Sequence, residues 1–572
     1  MTAPSSSAKN QWRLLAQTLD QVSLAKIVAY VLLSLGSALT GSLAAVLLVP
    51  LVQPGHALPI ISRLFHVEAN VYVDAAVFAV ITAAFAILRW ATTRLAASLS
   101  SSYSLTLRQR VHAKLIDAPL TSLADATSAE IANVLTYNVE VITQGFNALL
   151  LLLAAGFTCL VSICFALWFS PTLVLAAPLL AVFGLIAARI SSREQSLVGR
   201  QYVADLTRLF WHSEDFPRRL RHVRSFQREA SEKASYGAIS AQLAQGYRHQ
   251  LNIIASGRLI LELLAAIGVA SLFILAYRLH GVDQSSLIAV CLLLGRLLPY
   301  LVSTRQSFQQ LHVAAPAFEL WQKYVHLVPE HTSASVVEEK LENDTLFIER
   351  MRITPPSMGI EIRHFPLVPG ELTLICGDSG IGKSSLIDVL AGMMKPEAFV
   401  ASVNGRSLDF SEYRERVSKG AYVSQNVRPW QNSIRDSLLW AAPNATDEML
   451  CSALSDVGLG KRLSESRHKL DTALNNSSSR LSGGELQRLL LAQVILRKPY
   501  LALLDEATSA LDVKSELDVL SALKRRLPQT IIVVVSHRNG IASMADQCLT
   551  IDENREASIV RKEDSKRSAL QN

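Results

Sequence analysis

Long runs of apolar residues fill the first half of the chain. Residues 27–62 contain no Asp, Glu, Lys or Arg, and neither do residues 141–188. A helix that crosses a bilayer needs only about 20 apolar residues at a rise of about 1.5 Å each. The pattern therefore predicts six membrane-spanning helices, with the third and fourth forming a hairpin. They lie near residues 27–51, 71–93, 141–188 (the hairpin, which turns at Phe169-Ser170-Pro171-Thr172), 251–277 and 285–302.

The composition agrees with a chain that is partly embedded in lipid. Of its 572 residues 50% are hydrophobic and only 18% are charged, and the mean hydropathy is +0.28. These values exclude a disordered protein. The six cysteines show no CxxC spacing, so neither a zinc site nor a disulfide framework is expected. The first apolar run is too long for a signal peptide and is expected to be retained as a helix.

The distribution of basic residues predicts the orientation in the membrane. The net charge is +7, and Arg and Lys concentrate in the two long connections at 95–140 and 190–250. The connections on the other side hold little beyond Arg63 and Arg278. By the positive-inside rule both termini and the two long connections, which are predicted to be helical, face the cytoplasm. We attribute their basic character to this topology and to lipid headgroups, and we expect no nucleic-acid partner.

The second half of the chain has a different pattern, in which short apolar strands alternate with helices. We therefore expect four segments. They are an N-terminal cytoplasmic tail (1–24), a transmembrane domain (25–325), a linker (326–345) and an α/β domain (346–572).

A phosphate-binding loop is predicted near the start of the α/β domain. An apolar strand, LTLIC, leads into a glycine-rich turn and then into a helix. In such loops backbone N–H groups at a helix N-terminus surround phosphate. Lys383 is placed to reach the β and γ phosphates, and Ser384 to offer its hydroxyl to Mg²⁺. The residues of the loop are Gly377, Asp378, Ser379, Gly380, Ile381, Gly382, Lys383, Ser384 and Ser385.

Two carboxylates follow a later buried strand, Leu501-Ala502-Leu503-Leu504. Open α/β sheets bind ligands at the carboxyl ends of their strands. Asp505 is therefore a candidate Mg²⁺ ligand, and Glu506 a candidate base for an attacking water. Alone, this segment is equally consistent with a strand that ends in solvated acids, but the phosphate loop makes that interpretation weaker.

The segment Leu481-Ser482-Gly483-Gly484-Glu485-Leu486-Gln487-Arg488 resembles the signature sequence of ATP-binding-cassette (ABC) proteins. Other motifs of that family match in order: Gln425 in YVSQ resembles the Q-loop, Ser509-Ala510-Leu511-Asp512 the D-loop, and His537 the switch histidine. Six spans before one such domain resemble a half-transporter of the type I exporters. The resemblance covers nearly the whole chain and implies a polytopic α-helical membrane domain plus an α/β P-loop NTPase domain.

The resemblance also implies cofactors, partners and roles. In that family two chains form a dimer, and each ATP with its Mg²⁺ lies between the phosphate loop of one copy and the signature of the other. Glu506, His537 and Lys383 would then be catalytic, and Ser384, Gln425 and Asp505 would surround the metal. Ser482, Gly483, Gly484 and Glu485 would serve the nucleotide of the second copy. Because one chain carries every motif, a homodimer would have two equivalent sites.

One position departs from the family pattern. The family usually has an aromatic residue shortly before the phosphate loop that stacks on adenine, whereas Thr354 occupies this place here. Stacking a base on an aromatic ring contributes about 1 to 3 kcal/mol in nucleic-acid proteins, so weaker ATP binding or a relaxed base preference is expected. Phe347 is a possible substitute.

Charged residues within the predicted spans are candidate substrate contacts, because each costs about 2.5 to 3.5 kcal/mol at a helix centre. They are Arg258, Glu262 and Arg296. Arg258 and Glu262 are four residues apart, and a simple intrahelical pair explains them equally well. The set suits an amphipathic or partly anionic molecule. We expect export of a small peptide or natural product, and about 25 residues before the first helix leave no room for a leader peptidase domain.

Other functions remain open at this point. A lipid flippase or a siderophore importer would have the same architecture. A nucleotide-gated sensor or channel is a third alternative, but the intact Glu506 and His537 argue against it. In each case the resemblance implies an integral protein of the plasma membrane, the inner membrane in a bacterium, with the ATPase domain in the cytoplasm.

Overall fold

The structure is a computed structural model of the chain, and it divides into two compact units. The first comprises residues 1–118 and 124–329, and the second residues 119–123 and 330–572. Most of the expected linker lies outside the described residues. The structure describes residues 23–52, 71–124, 126–169, 198, 201–202, 204–213, 216–278, 284–327, 344–354, 359–425, 427–474, 481–553 and 555–562.

The first unit is entirely helical in its described part. Its helices are α1 (Leu24–Val52), α2 (Val71–Asp117), α4 (Ser128–Asn133), α5 (Val139–Phe169), α6 (Phe216–Ser225), α7 (Glu229–Arg278) and α8 (Gln284–Val325), and the short α3 (Leu120–Leu123) belongs to the second unit. A π-helical turn, Val134–Asn138, joins α4 to α5.

Five of the described helices are long and apolar enough to cross a membrane. They correspond to the predicted first, second, third, fifth and sixth spans. The second arm of the predicted hairpin, from residue 170 onward, lies outside the described residues. Helix α2 has 47 residues, which gives a length of about 70 Å at 1.5 Å per residue, more than twice the thickness of the hydrocarbon core.

Close backbone approaches and buried polar contacts hold these helices together. The Tyr30 hydroxyl of α1 donates to the Leu150 carbonyl of α5 at 2.8 Å, and Ser42 and Ser162 are hydrogen-bonded at 3.1 Å. Gly145 of α5 packs so closely on α8 that an added Cβ would lie 2.6 Å from the Cβ of Ala314. Small and hydroxylated residues are the usual contacts between membrane helices.

The second unit contains two sheets. Its strands are β1 (Leu346–Ile353), β2 (Ile360–Leu367), β3 (Leu372–Gly377), β4 (Ala398–Val403), β5 (Arg406–Leu408), β6 (Ala421–Ser424), β7 (Leu501–Asp505), β8 (Ile531–Val535), β9 (Gln547–Ile551) and β10 (Ala557–Arg561). The smaller sheet is antiparallel, with the order β2-β1-β4-β5, and the larger has the order β10-β9-β3-β8-β7-β6. In the larger sheet β9, β3, β8, β7 and β6 are parallel.

Helices pack around the two sheets, and several begin at a side-chain cap. Asp409 and Ser482 each form a capping box, with Glu412 and Glu485 respectively, as helix N-termini favour. The helices are α9 (Lys383–Leu390), α10 (Phe410–Val417), α11 (Ile434–Ala441), α12 (Asp447–Asp456), α13 (Gly460–Glu465), α14 (Gly483–Arg497) and α15 (Val513–Arg526).

Two hydrophobic clusters lie on opposite faces of the larger sheet. Leu374 and Leu504 belong to the cluster that includes α14, and Ile375 and Leu503 belong to the cluster that includes α9. The alternation of neighbouring residues between the faces is the pattern of a sheet buried on both sides. Because the strands are parallel, the carboxyl ends of β3, β6, β7 and β8 meet at one edge, where the predicted motifs lie.

Candidate nucleotide site

The phosphate loop follows β3 and depends on its glycines. Gly377, Gly380 and Gly382 have φ values of 149°, 81° and 111°, which residues with a side chain rarely adopt. At Gly377 a Cβ would also lie 2.9 Å from the Ile551 carbonyl oxygen. The loop then enters α9 at Lys383. The predicted strand, glycine-rich turn and helix are all present.

Lys383 lies within the loop that it is expected to serve. Its side chain is buried, and Nζ donates to the carbonyl oxygens of Gly377 at 2.8 Å and Asp378 at 2.7 Å. Burial lowers the pKa of Lys383, while the neighbouring acids Glu506, Asp378 and Asp505 act in the opposite direction. The ammonium group is thus held at the concave side of the loop by acceptors that phosphate oxygens can replace.

Asp505 and Ser384 form an oxygen-rich pair at the end of β7. The Ser384 hydroxyl is hydrogen-bonded to Asp505, and the Tyr422 hydroxyl donates to Asp505 Oδ2 at 3.4 Å. Burial and the neighbouring Glu506 raise the pKa of Asp505. Gln425 follows Ser424, which is paired with Asp505 across β6 and β7, so its backbone lies at the same edge.

This donor set fits Mg²⁺. The described residues contain no group of three or more His, Cys, Asp or Glu side chains that could hold a metal ion. Magnesium in ATPases is usually bound by one or two protein oxygens together with phosphates and waters, so such a cluster is not needed. A hydroxyl beside a carboxylate at a phosphate loop supplies the oxygens that Mg²⁺ prefers.

Glu506 and His537 face each other just beyond the carboxyl ends of β7 and β8. His537 Nε2 lies 3.3 Å from Glu506 Oε1, and both side chains are partly exposed. Glu506 has a φ of 52°, and its backbone N–H donates to the Val535 carbonyl of β8 at 3.1 Å. The contact with β8 and the left-handed backbone direct the carboxylate toward the switch histidine.

The signature residues form the start of α14. Ser482 Oγ accepts from the Glu485 N–H at 3.3 Å, and Glu485 Oε2 accepts from the Ser482 N–H at 2.6 Å. Glu485 also pairs with Arg462 at 3.3 Å. Gly484 is close to the D-loop, because a Cβ there would lie 3.2 Å from the Ala510 carbonyl oxygen, whereas Gly483 has more space. In the part of the chain that is described, the polar contacts of Ser482 and Glu485 involve these partners and not the phosphate loop.

A polar network around the D-loop was not predicted from the sequence. Arg538 donates to the carbonyl oxygens of Leu511 at 2.6 Å and Ser509 at 2.8 Å, and it pairs with the buried Glu516 at 3.2 Å. Gln487 contacts the same segment from α14, accepting from the Ala510 N–H at 2.9 Å. Gln487 lies in the signature sequence, and Arg538 directly follows the switch histidine. Glu516 lies outside these motifs, and only its burial identifies it.

A further acid lies near the candidate metal ligands. Asp388 is on α9, one turn beyond Ser384. Its burial, with a smaller effect of Asp505, raises the pKa of Asp388 to about 6. This residue was also missed, because an isolated Asp in a helix carries no sequence signal.

At the position where an aromatic residue was expected, Thr354 is hydrogen-bonded. Its hydroxyl donates to Glu397 Oε2 at 2.8 Å. The ring of Phe347 lies 6.2 Å from that of His364. The chain directly after Thr354, residues 355–358, lies outside the described residues.

The three charged residues of the membrane helices are not equivalent. Arg258 Nε donates to Glu262 Oε1 at 2.8 Å, and the pair is largely exposed, as the intrahelical interpretation predicts. Arg296 of α8 has a different environment. Its Cζ lies 4.9 Å from the ring centre of Phe85, and Nη1 and Nη2 are buried with no hydrogen-bond partner among the described residues. A side chain at Gly41 would collide with the guanidinium.

Each half of the chain matches a known protein family. The transmembrane region of ABC transporters matches residues 22–295, and the ABC transporter ATP-binding domain matches residues 361–509. Together the two matches cover roughly three quarters of the chain.

Curated relatives and a solved structure have the same organisation. The chain is 25% identical to an ATP-dependent lipid A-core flippase of Polaromonas sp., over 80% of this chain and 79% of that protein. It is 31% identical to the mycobactin import ATP-binding/permease protein IrtB of Mycobacterium bovis over 33% of each chain. The structure of a bacterial Atm1-family ABC exporter with ATP bound superposes with a TM-score of 0.75, at 17% identity, over 98% of this chain and 97% of that one.

The two family matches cover a helical membrane region and an ATP-binding domain. In the structure, the phosphate loop, the strand-end carboxylates and the switch histidine of the ATP-binding domain lie at one edge of its larger sheet. Such an ATP-binding domain hydrolyses ATP to power transport. The chain belongs to the ABC transporter family, and it has the half-transporter architecture of the type I exporters.

Proposed function

We propose that the chain works as a homodimer that uses ATP to export a small amphipathic molecule, such as a modified peptide or natural product with an anionic group. The observation that carries the ATP-dependent part is the meeting of Lys383, Asp505, Glu506 and His537 at one edge of the sheet. The observation that carries the substrate class is the buried Arg296 guanidinium.

In the proposed nucleotide complex, phosphate oxygens replace the carbonyl acceptors of Lys383. The N–H groups of the loop from Gly377 to Ser385 surround the phosphates, as they do at other helix N-termini. Ser384, Asp505 and Gln425 would hold Mg²⁺, which would neutralise charge that develops on the transferred phosphoryl group. Lys383 supplies a second positive charge for the same purpose.

Glu506 orients the attacking water and accepts its proton. His537 Nε2, which lies 3.3 Å from the Glu506 carboxylate, contacts the γ-phosphate and keeps the carboxylate in place. Both side chains are partly exposed, so water can reach the carboxylate.

The signature residues act on the nucleotide of the second copy. The capped N-terminus of α14 presents the N–H groups of Gly483 and Gly484 in its first turn, next to Ser482, and such N–H groups favour a phosphate. Glu485 fixes the cap. Within the described part of one chain these residues contact Arg462 and the D-loop, so a second chain is needed to bring them to a phosphate loop.

The substrate proposal rests on Arg296. A guanidinium within a membrane domain is costly. Tyr300 lies beside Arg296, but Nη1 and Nη2 have no hydrogen-bond partner among the described residues, and an anionic group of a bound molecule would satisfy them. The apolar helices around it suit the rest of an amphipathic molecule. Arg258 and Glu262 already neutralise each other, so we give them no more than a secondary role in substrate binding.

The basic connections support a cytoplasmic location for the termini and the cassette, residues 346–572, with the membrane domain within residues 25–325. The organisms of the similar proteins are bacteria, which supports the bacterial inner membrane as the location. Lipid is then the surrounding partner, and no feature suggests nucleic acid.

The substrate proposal is tested with three probes that share one alkyl chain: dodecyl phosphate, dodecanol and dodecyltrimethylammonium. Their stimulation of ATPase activity is measured on protein reconstituted in lipid. Arg296→Gln should weaken the response to dodecyl phosphate by about tenfold, the value of a lost hydrogen bond to a charged group. Arg258→Gln is the matched control and should keep the response. An unchanged phosphate response in Arg296→Gln would remove Arg296 from the site.

The direction of transport separates the remaining alternatives. Once a stimulating compound is found, its labelled form should accumulate in inside-out vesicles with ATP. Uptake into right-side-out vesicles loaded with ATP would instead support import, as the name of the mycobacterial relative indicates for that protein. Movement of labelled lipid between leaflets would support the flippase alternative, as the name of the Polaromonas relative indicates for that protein.

A further inference from the structure

Two cysteines lie beside the phosphate loop, on neighbouring strands of the larger sheet. Cys376 is in β3 immediately before Gly377, and Cys548 is in β9. Their sulfur atoms are 3.6 Å apart, and both residues are partly exposed. Cys548 Sγ is also 3.7 Å from Thr550 Oγ1.

The register shows that the pair is diagonal across the two strands. Cys548 is paired with Leu374, and Cys376 with Thr550. From strand spacing and rise, the two Cα atoms are about 8 Å apart. Disulfides usually need a Cα separation of about 4.4 to 6.8 Å, so a bond between these sulfurs requires the strands to slide by about 2 Å. Strand β9 is second from the edge of the sheet, between β10 and β3.

A shift of β9 against β3 would reach the phosphate loop directly. Gly377 is paired with Ile551 of β9, and its Cα already lies so close to that strand that a Cβ would be 2.9 Å from the Ile551 oxygen. The Gly377 carbonyl also accepts from Lys383 Nζ. Sliding the two strands would therefore displace the first glycine of the loop and the lysine that it holds.

The chemistry of the pair suits oxidation. The contact between the two sulfurs lowers the pKa of Cys548 and, with burial, raises the pKa of Cys376. The thiolate is the form of a cysteine that reacts with peroxides, so this contact favours Cys548 as the attacking sulfur. Cys376 is placed to act as the resolving thiol.

We propose that Cys376 and Cys548 form a peroxide-sensitive dithiol whose oxidation to a disulfide inactivates the nucleotide site. The Cys548 thiolate attacks one oxygen of hydrogen peroxide, the O–O bond breaks, and the departing hydroxide takes up a proton to give water. Cys376 then loses its proton and attacks the Cys548 sulfur of the resulting sulfenic acid. The S–O bond breaks, a second water leaves, and the disulfide forms. A dithiol reductant reduces the disulfide and restores both thiols.

The test uses the full-length protein in lipid, treated with hydrogen peroxide and then with dithiothreitol. ATPase activity is measured at each step, and the disulfide is identified by mass spectrometry of peptides. Oxidation should lower ATPase activity by about ten- to a hundredfold, since a displacement near 1 Å at a reacting site has effects of this order. Dithiothreitol should restore the activity. Cys548→Ser should resist oxidation, and Cys548→Ala provides the same comparison if the serine variant folds poorly.

The matched control is Cys451→Ser, which removes an exposed thiol of α12. It should remain as sensitive as the wild-type protein. Three results would overturn the proposal: thiols of the pair that stay reduced under peroxide, a disulfide that forms without loss of ATPase activity, or an equal loss of activity in Cys548→Ser.

Discussion

At the scale of single residues, the position of Glu506 is set by its backbone. A residue with a side chain in the left-handed region, here at a φ of 52°, is uncommon and occurs where surrounding contacts hold it. The bond from its N–H to Val535 is such a contact. The sequence predicted the role of Glu506 from its place after a buried strand, but not its backbone conformation, because φ depends on the neighbouring strand.

Replacing Glu506 by Gln tests the proposed base. The amide keeps the size and can still contact His537, but it cannot accept a proton from water. ATP hydrolysis should fall by about 10²- to 10⁴-fold, the usual contribution of a general base. ATP should stay bound, because the contacts of Lys383 are untouched. Both are measured on reconstituted protein, by phosphate release and by retained labelled ATP.

Glu448→Gln is the control for that substitution. It changes an exposed acid in the first turn of α12, and it should hydrolyse ATP at the wild-type rate. If Glu506→Gln also hydrolysed ATP at that rate, Glu506 would not be the base.

At the scale of elements, the D-loop is held by contacts from two others. Arg538, at the start of the segment after β8, binds two carbonyl groups of the D-loop, and α14 contributes Gln487. The buried Glu516 of α15 completes the network, and it also accepts from the Thr508 hydroxyl at 2.5 Å. The sequence predicted the motifs separately but not this link, because the partners of Arg538 and Gln487 are more than 20 residues away in the sequence and meet them only in the fold.

Arg538→Ala should destabilise the cassette. It leaves the Glu516 carboxylate, which is 2% exposed, without its cation. Removing one partner of a buried pair costs about 3 to 5 kcal/mol, and the partial exposure of Arg538 reduces this to about 2 to 3 kcal/mol. Thermal unfolding of the purified protein should begin several degrees lower.

Arg406→Ala provides the comparison, because Arg406 pairs with Glu412 at 3.3 Å on the surface, where both side chains are exposed. Exposed pairs contribute below about 1 kcal/mol, so this variant should unfold close to the wild-type temperature. Equal shifts in the two variants would mean that the Arg538 network does not stabilise the D-loop.

At the scale of the whole molecule, the sequence was most informative about which elements exist and least informative about where they end. Hydropathy located the spans, but α2 continues to Asp117 and α8 to Val325, well past the predicted ends of the second and sixth spans at residues 93 and 302. The connection at 95–140 was predicted to be helical, but its continuity with the second span was not, because the hydropathy signal ends where polar and charged residues begin. Arg296 was identified from its charge alone, whereas the lack of a partner in its surroundings required the fold.

The central claim is that each nucleotide is held between two copies of the chain, and mixed dimers test it most directly. Lys383→Ala disables the phosphate loop and Ser482→Arg disables the signature, so each variant alone should be inactive. Dimers that contain one copy of each, isolated through two different affinity tags, should regain about one half of the wild-type ATPase activity, because one of the two composite sites is intact. Mixed dimers as inactive as their parents, or a fully active protein that is monomeric in the bilayer, would contradict the account.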